Sequence, residues 1–277
     1  MSMIRGYVAG LKRRVHRHLL SNAEEKFYKM DALDSFNVEK IINAELCILT
    51  VAFNNSEVIS QQMSRLQKYF QRPYVYLVAD NSSNPEESAS IRKIIGGGGI
   101  YLRLPHNPFK SSQSHAAALN WTCRNVLANN NVTSTLILDQ DVMPFKPCDI
   151  VQQAHGQFFY GVIQDRFGGK WYVWPGFFYI RGADFRNLDF FTTEWGDTGA
   201  RMYEILFRAI EKHKHSFAQE KYVNIFHDGI ARNMQEGLVS VLDSCWIHFI
   251  NSSNWANVDM TAKFERISDY LKEIEGI

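Results

Sequence analysis

Four short apolar runs divide the first half of this chain at intervals that suit an alternation of strands and helices. They are Leu46 to Phe53 (LCILTVAF), Tyr74 to Ala79 (YVYLVA), Ile100 to Leu104 (IYLRL) and Thr135 to Leu138 (TLIL). Each has the length and apolar content of a buried strand. The segments between them carry helix signals. Asn54 or Asn55 can cap a helix with Ile59, Met63, Leu66 and Phe70 on one face. Asn84-Pro85-Glu86-Glu87 combines a capping side chain, a first-turn proline and acids at the positive end of the helix dipole, and starts a helix that runs to about Ile95. Ser111 to about Ala128 reads as a third helix. The alternation predicts an α/β fold, Rossmann-like, with a mainly parallel sheet covered by helices. In such sheets the ligand crevice lies beyond the carboxyl ends of the strands. Thr50 to Asn54, Asp80 to Ser83, Pro105 to Asn107 and the pair Asp139/Asp141 all fall there.

With 277 residues and 45% hydrophobic content, the chain can bury the core of one large domain. A formal net charge of +1 gives no reason to expect a nucleic-acid partner. The four cysteines, Cys47, Cys123, Cys148 and Cys245, contain no Cys-x-x-Cys pair, which argues against a zinc site and for reduced buried thiols in a cytoplasmic setting. Residues 1–45 read as a polar helical lead-in. Within it Ile4, Val8, Leu11, Val15 and Leu19 recur at helical spacing among Arg5, Lys12, Arg13, Arg14 and Arg17. Such a helix either packs on the domain or lies on an anionic membrane surface as a peripheral contact through residues 1–20. No apolar h-region of a secretory signal follows it, and no run approaches transmembrane length. The glycines at 96–99 follow a helix and precede a strand, the reverse of a phosphate loop, and read as a turn.

After Pro144 the rhythm changes. Phe158 to Gln164 and Trp171 to Ile180 read as strands joined through Phe167-Gly168-Gly169, residues 198–213 as helical, and Val241 to Ile250 as one late strand. Trp171, Tyr172, Trp174, Phe177, Phe178 and Tyr179 form an aromatic stretch, of which burial in a strand accounts for half.

Two carboxylates one residue apart, Asp139 and Asp141, at the end of an apolar strand suit a hard divalent cation such as Mg²⁺ or Mn²⁺; the alternative is a pair of acids in a solvated turn. The successive segments ILTVAFNN, VADNSS, SHAAALNW and LILDQDVMP resemble the motifs of GT-A glycosyltransferases, above all the family-2-like group, over about residues 46–145. The resemblance implies a single GT-A domain over 46–277, with a nucleotide-sugar half at 46–145 and an acceptor half at 146–277. It implies that Thr50, Ala52 and Asp80 hold the nucleoside, with Asp80 facing the base, and that the segment from His115 to Asn120 approaches the sugar. The family's usual glycine is absent from that segment, which leaves the role of His115 open. The resemblance further implies that Asp141 holds the metal, with Asp139 at ribose or sugar and beside the cation. His248 reads as a third metal ligand or as a core-edge histidine. Inverting members keep a catalytic base in an acidic motif comparable to Glu194-Trp195-Gly196-Asp197; Asp197 is the candidate, Glu194 its competitor, and a helix cap the alternative for Asp197. The implied partners are a nucleotide-diphosphate sugar donor, Mn²⁺ or Mg²⁺, and a hydroxyl of a glycan or lipid-linked acceptor. Two rival readings are a sugar-phosphate nucleotidyltransferase, whose basic glycine-rich loop VAFNNSE lacks, and a non-catalytic nucleotide-sugar binding module.

Overall fold

The structure, a computed structural model, describes residues 22–225, 238–250 and 260–275. The basic stretch at residues 1–20 lies outside the described residues. Two sheets form the frame. The larger has seven strands in the order β1-β4-β3-β2-β5-β8-β7, comprising β1 (Asp34–Phe36), β2 (Leu46–Ala52), β3 (Val75–Asp80), β4 (Ile100–Arg103), β5 (Ser134–Asp139), β7 (Phe159–Asp165) and β8 (Trp171–Arg181). Its centre, β4-β3-β2-β5, is parallel, and β1, β8 and β7 join antiparallel at the edges. The smaller sheet has the order β6-β11-β10-β9, from β6 (Val142–Pro144), β9 (Glu220–Asn224), β10 (Leu238–Leu242) and β11 (Trp246–His248), all antiparallel.

Both faces of the parallel strands are covered, which is why they are largely apolar. Side chains alternate across the sheet. Ile48, Tyr76, Val78, Leu136 and Leu138 pack with α2 (Ser56–Tyr69) and α3 (Pro85–Ile95). Cys47, Leu49, Leu77 and Ile137 pack with α4 (Ser111–Asn125) on the opposite face. Both predicted caps are present: Asn55 Oδ1 accepts from Val58 N at 3.1 Å, and Asn84 Oδ1 from Glu86 N at 2.9 Å. Leu49 and Ile137 are fully buried, and truncating either to alanine would cost about 2–5 kcal/mol.

The remainder departs from the sequence reading in three places. The lead-in is not helical throughout: after α1 (residues 22–28) it contributes β1, which pairs with β4, while Phe27 enters the core. Residues 198–213 hold only the short α6 (Met202–Ile205) and two 3-10 turns, because the backbone reverses at Gly199 (φ 93°) and becomes extended at Ile210. Val241 to Ile250 is not one strand but the tight hairpin of β10 and β11, turned at Asp243 and Ser244, both with positive φ. The fifth helix, α5 (Ile150–Gln153), is one turn long, and the last, α7 (Met260–Glu275), covers the small sheet through Ile267 and Leu271, packed with Met143, Ile247 and Phe249.

Candidate functional site

β5 ends at Asp139 and β6 starts at Val142, so Asp139-Gln140-Asp141 is where the chain leaves the large sheet for the small one. It is also a topological switch point: β3 pairs with one side of β2 and β5 with the other. The Gln140 side chain spans the gap, its Oε1 accepting from Phe53 N at 2.8 Å and its Nε2 donating to Phe53 O at 3.3 Å. Phe53 itself is half-exposed at this strand end. Sequence reasoning passed over it as the last residue of an apolar run.

Asp139 and His115 meet, with Nε2 of the histidine 3.4 Å from Oδ1 of the acid and a quarter of each side chain reaching solvent. Burial, then the charge of Asp141, holds the Asp139 carboxyl above the usual carboxylate range, with His248 opposing the rise. Burial pushes the His115 imidazole down to about 4 against the pull of Asp197 and Asp141. His115 is therefore a neutral hydrogen-bonding group at neutral pH.

Asp141 is nearly buried, and its carbonyl accepts from Phe249 N at 3.0 Å. Its Oδ1 lies 3.7 Å from Nε2 of His248, which faces Val142 in the β6–β11 ladder. Ser240 Oγ lies 3.3 Å from the other ring nitrogen, Nδ1, and Trp174 packs on the ring at a 4.7 Å centroid distance. Trp174 can lie there because residue 176 is glycine: a Cβ at Gly176 would fall 2.0 Å from the indole. Behind this group sits Lys263, which no local motif announces. It is almost fully buried, its Nζ donates to Ile250 O at 2.5 Å, and burial pushes its ammonium down to about 8 while Asp141 draws it up.

Asp197 and Glu194 are both exposed, on a loop after β8 closed by Thr193 N donating to Gly196 O at 3.0 Å. Thr198 Oγ1 ties this loop to the start of α4 by donating to Ser112 O at 3.0 Å. The charge of Asp197 reaches both His115 and Asp139. No regular helix starts at Asp197; its Oδ1 accepts from the adjacent Thr198 N at 2.8 Å, so the capping alternative falls away. The same rim includes Asn81, whose Nδ2 donates to Ser114 Oγ at 2.9 Å, and Asn107, whose Nδ2 donates to Asn81 Oδ1 at 3.0 Å.

Asp139, Asp141, His248, His115 and Asp197 thus converge. The other residues expected to hold the donor lie inside the protein. Thr50 and Ala52 are fully buried. Asp80 is fully buried too, accepting from Ser82 N at 2.9 Å, Tyr101 Oη at 2.8 Å and Ser88 Oγ, with Arg103 at 3.1 Å. Asn120 bonds Tyr28 Oη, Asp189 and Phe190 N and has no exposed surface. None of these four side chains reaches solvent.

Among the described residues no three His, Cys, Asp or Glu side chains stand ready as a metal-binding group. The donor set nevertheless fits a hard cation in its chemistry: two neighbouring carboxylates, one held above the usual carboxylate range by burial and then by the other's charge, with an imidazole alongside. Mg²⁺ and Mn²⁺ take few protein ligands and complete their shells with phosphate and water.

No family model matches this chain, and no curated protein does. Solved structures that resemble it in part are glycosyltransferases: the galactosyltransferase LgtC with donor and acceptor sugar analogues (17% identity, TM-score 0.37, 52% of this chain and 60% of that one); the mannosyltransferase PcManGT from Pyrobaculum calidifontis with GDP-Man and Mn²⁺ (14%, 0.29, 45% and 35%); and the mannosyltransferase Ktr4p from S. cerevisiae (13%, 0.29, 53% and 49%). The match spans between about a third and three fifths of those chains, and likeness at these scores fixes neither activity nor substrate.

Proposed function

We propose that this protein is a GT-A-type glycosyltransferase that moves a sugar from a nucleotide-diphosphate donor to a hydroxyl of a glycan or lipid-linked acceptor, with inversion at the anomeric carbon. The observation that carries the reading is the convergence of Asp139, Asp141 and His248 at the sheet's switch point, with Asp197 in electrostatic reach of Asp139. Asp139, Asp141 and His248 would hold Mn²⁺ or Mg²⁺, which supplies the positive charge that a departing diphosphate requires. Phe53 offers an apolar face at the strand end where a nucleobase would lie. Asp197, exposed and on the acceptor side, takes the proton from the attacking hydroxyl, with Glu194 as the competing base. His115, neutral and beside Asp139, hydrogen-bonds the transferred sugar. The test is calorimetry of uridine and guanosine diphosphates with and without Mn²⁺. Affinity that rises sharply with Mn²⁺ supports the reading; equal affinity with and without metal, or no binding of either nucleotide, overturns it.

A further inference from the structure

We propose that Gln62 is a positioning residue for the cation site, acting from behind the acids; the inference deepens the glycosyltransferase reading and rests on it. The helical period of α2 calls for an apolar residue here. Val58, Ile59 and Leu66 are buried on the same face, and Gln62 among them has no exposure at all. A buried primary amide is costly unless its groups are paired. Every one of them is. Oε1 accepts from Thr50 Oγ1 at 2.9 Å and from Tyr76 Oη at 2.6 Å, while Nε2 donates to Asp139 O at 2.8 Å and to Val142 O at 2.6 Å. Two lone pairs and two N–H groups are the full capacity of the side chain.

What it holds gives the arrangement its meaning. The two carbonyls bracket Gln140 and Asp141. Asp139 O belongs to the end of the large sheet, and Val142 O to the first strand of the small one, directly opposite His248. Through Thr50 and Tyr76 the same side chain is fastened to β2 and β3. One glutamine therefore sets the separation of the two sheets at the point where the two acids and the histidine meet. A leucine or methionine would suit the helix face and pack as well, but would leave the turn free to relax. Groups that orient metal ligands from behind are typically worth about 10–100-fold in metal affinity.

Gln62→Met removes all four hydrogen bonds at similar volume. Tyr76→Phe removes one bond to Oε1 and leaves the grip on the turn. The readouts are Mn²⁺ affinity from the electron paramagnetic resonance signal of free Mn²⁺, affinity for nucleoside diphosphate without metal, and melting temperature. The expected result is that Gln62→Met weakens Mn²⁺ binding about 10-fold or more while metal-free nucleotide affinity holds. Tyr76→Phe lowers the melting temperature and keeps Mn²⁺ affinity within about threefold of wild type. If Gln62→Met does not fold, Gln62→Asn, a neutral amide one methylene too short to keep all four partners, carries the same expectation. Wild-type Mn²⁺ affinity in Gln62→Met overturns the clamp alone, as does an equal loss in Tyr76→Phe, which would reduce the effect to core stability. Absence of Mn²⁺ binding by the wild type overturns the glycosyltransferase reading and the clamp with it.

Discussion

The two sheets reach the same turn with very different support. The large sheet delivers Asp139 on β5, flanked by β2 and β8, and β2 and β5 are buried along nearly their whole length. The small sheet delivers Asp141 in the turn just before β6 and His248 on β11, both three-residue strands, and its far edge strand β9 is mostly exposed. The first is a stiff platform with helices on both faces; the second is a thin flap backed by α7. A ligand that needs both sides is sensitive to their separation, and a cation between them would join the sheets as well as bind a diphosphate.

The largest expected effect comes from Asp141, the proposed ligand where the chain enters the flap. Asp141→Asn should weaken Mn²⁺-dependent binding of nucleoside diphosphate by at least about 100-fold, since groups merely orienting a ligand already account for about 10–100-fold. The fold should persist, because the Asp141 backbone contact to Phe249 N remains. Calorimetry with and without Mn²⁺ checks it, and an unchanged metal dependence would mean that the flap does not share in the site.

Next comes the loop that carries Asp197, which is anchored to the start of α4 through the bond of Thr198 to Ser112. Asp197→Asn should slow sugar transfer by about 10²–10⁴-fold, the usual worth of a positioned base, and leave donor affinity near wild type. Glu194→Gln, made in parallel, should keep most of the rate. Transfer assays paired with nucleotide titrations decide between them: a dead Glu194→Gln that still binds donor moves the role to Glu194.

The same contrast explains what could be read from sequence. The platform announces itself because buried parallel strands are continuous apolar runs, and because Asn55 and Asn84 cap the helices between them with local side-chain bonds. The flap does not. β6 is three residues, and β9 (EKYVN) shows no clean alternation. The β10–β11 hairpin hides inside one apolar stretch whose reversal depends on positive φ at Asp243 and Ser244. Asp139 and Asp141 were legible from their place at a strand end. The inward turn of Asp80 was not, because its partners Ser88, Tyr101 and Arg103 come from two later elements. Gln62 did leave a signal, a lone amide on an otherwise apolar helix face, but its meaning lies 77 and 80 residues away.

The smallest effect, and the one that separates binding from stability, concerns Asp139. Its carboxyl is held above the usual range by burial and by Asp141. A group whose folded pKa is raised binds its proton more tightly in the folded state, so its contribution is present below the ordinary value, 3.8, and is lost as pH rises through the raised one. At neutral pH the ionised acid therefore weighs against the metal-free fold. Asp139→Asn should melt higher than wild type without metal, by roughly 2–4 °C for each kcal/mol relieved in a protein of this size, and the gap should close as pH falls toward 3.8. His115 runs the other way: lowered from 6.5 to about 4, it costs stability as pH falls across that window. The comparison is therefore cleanest in a His115→Gln background, where the imidazole beside the acid no longer titrates. Adding Mn²⁺ with nucleoside diphosphate should reverse the order, raising the melting temperature of wild type and not of Asp139→Asn. A metal-free Asp139→Asn that melts below wild type at neutral pH would show that the platform side of the turn is not electrostatically strained. The crowding of the two acids would then lose its standing as a sign that a cation belongs between them.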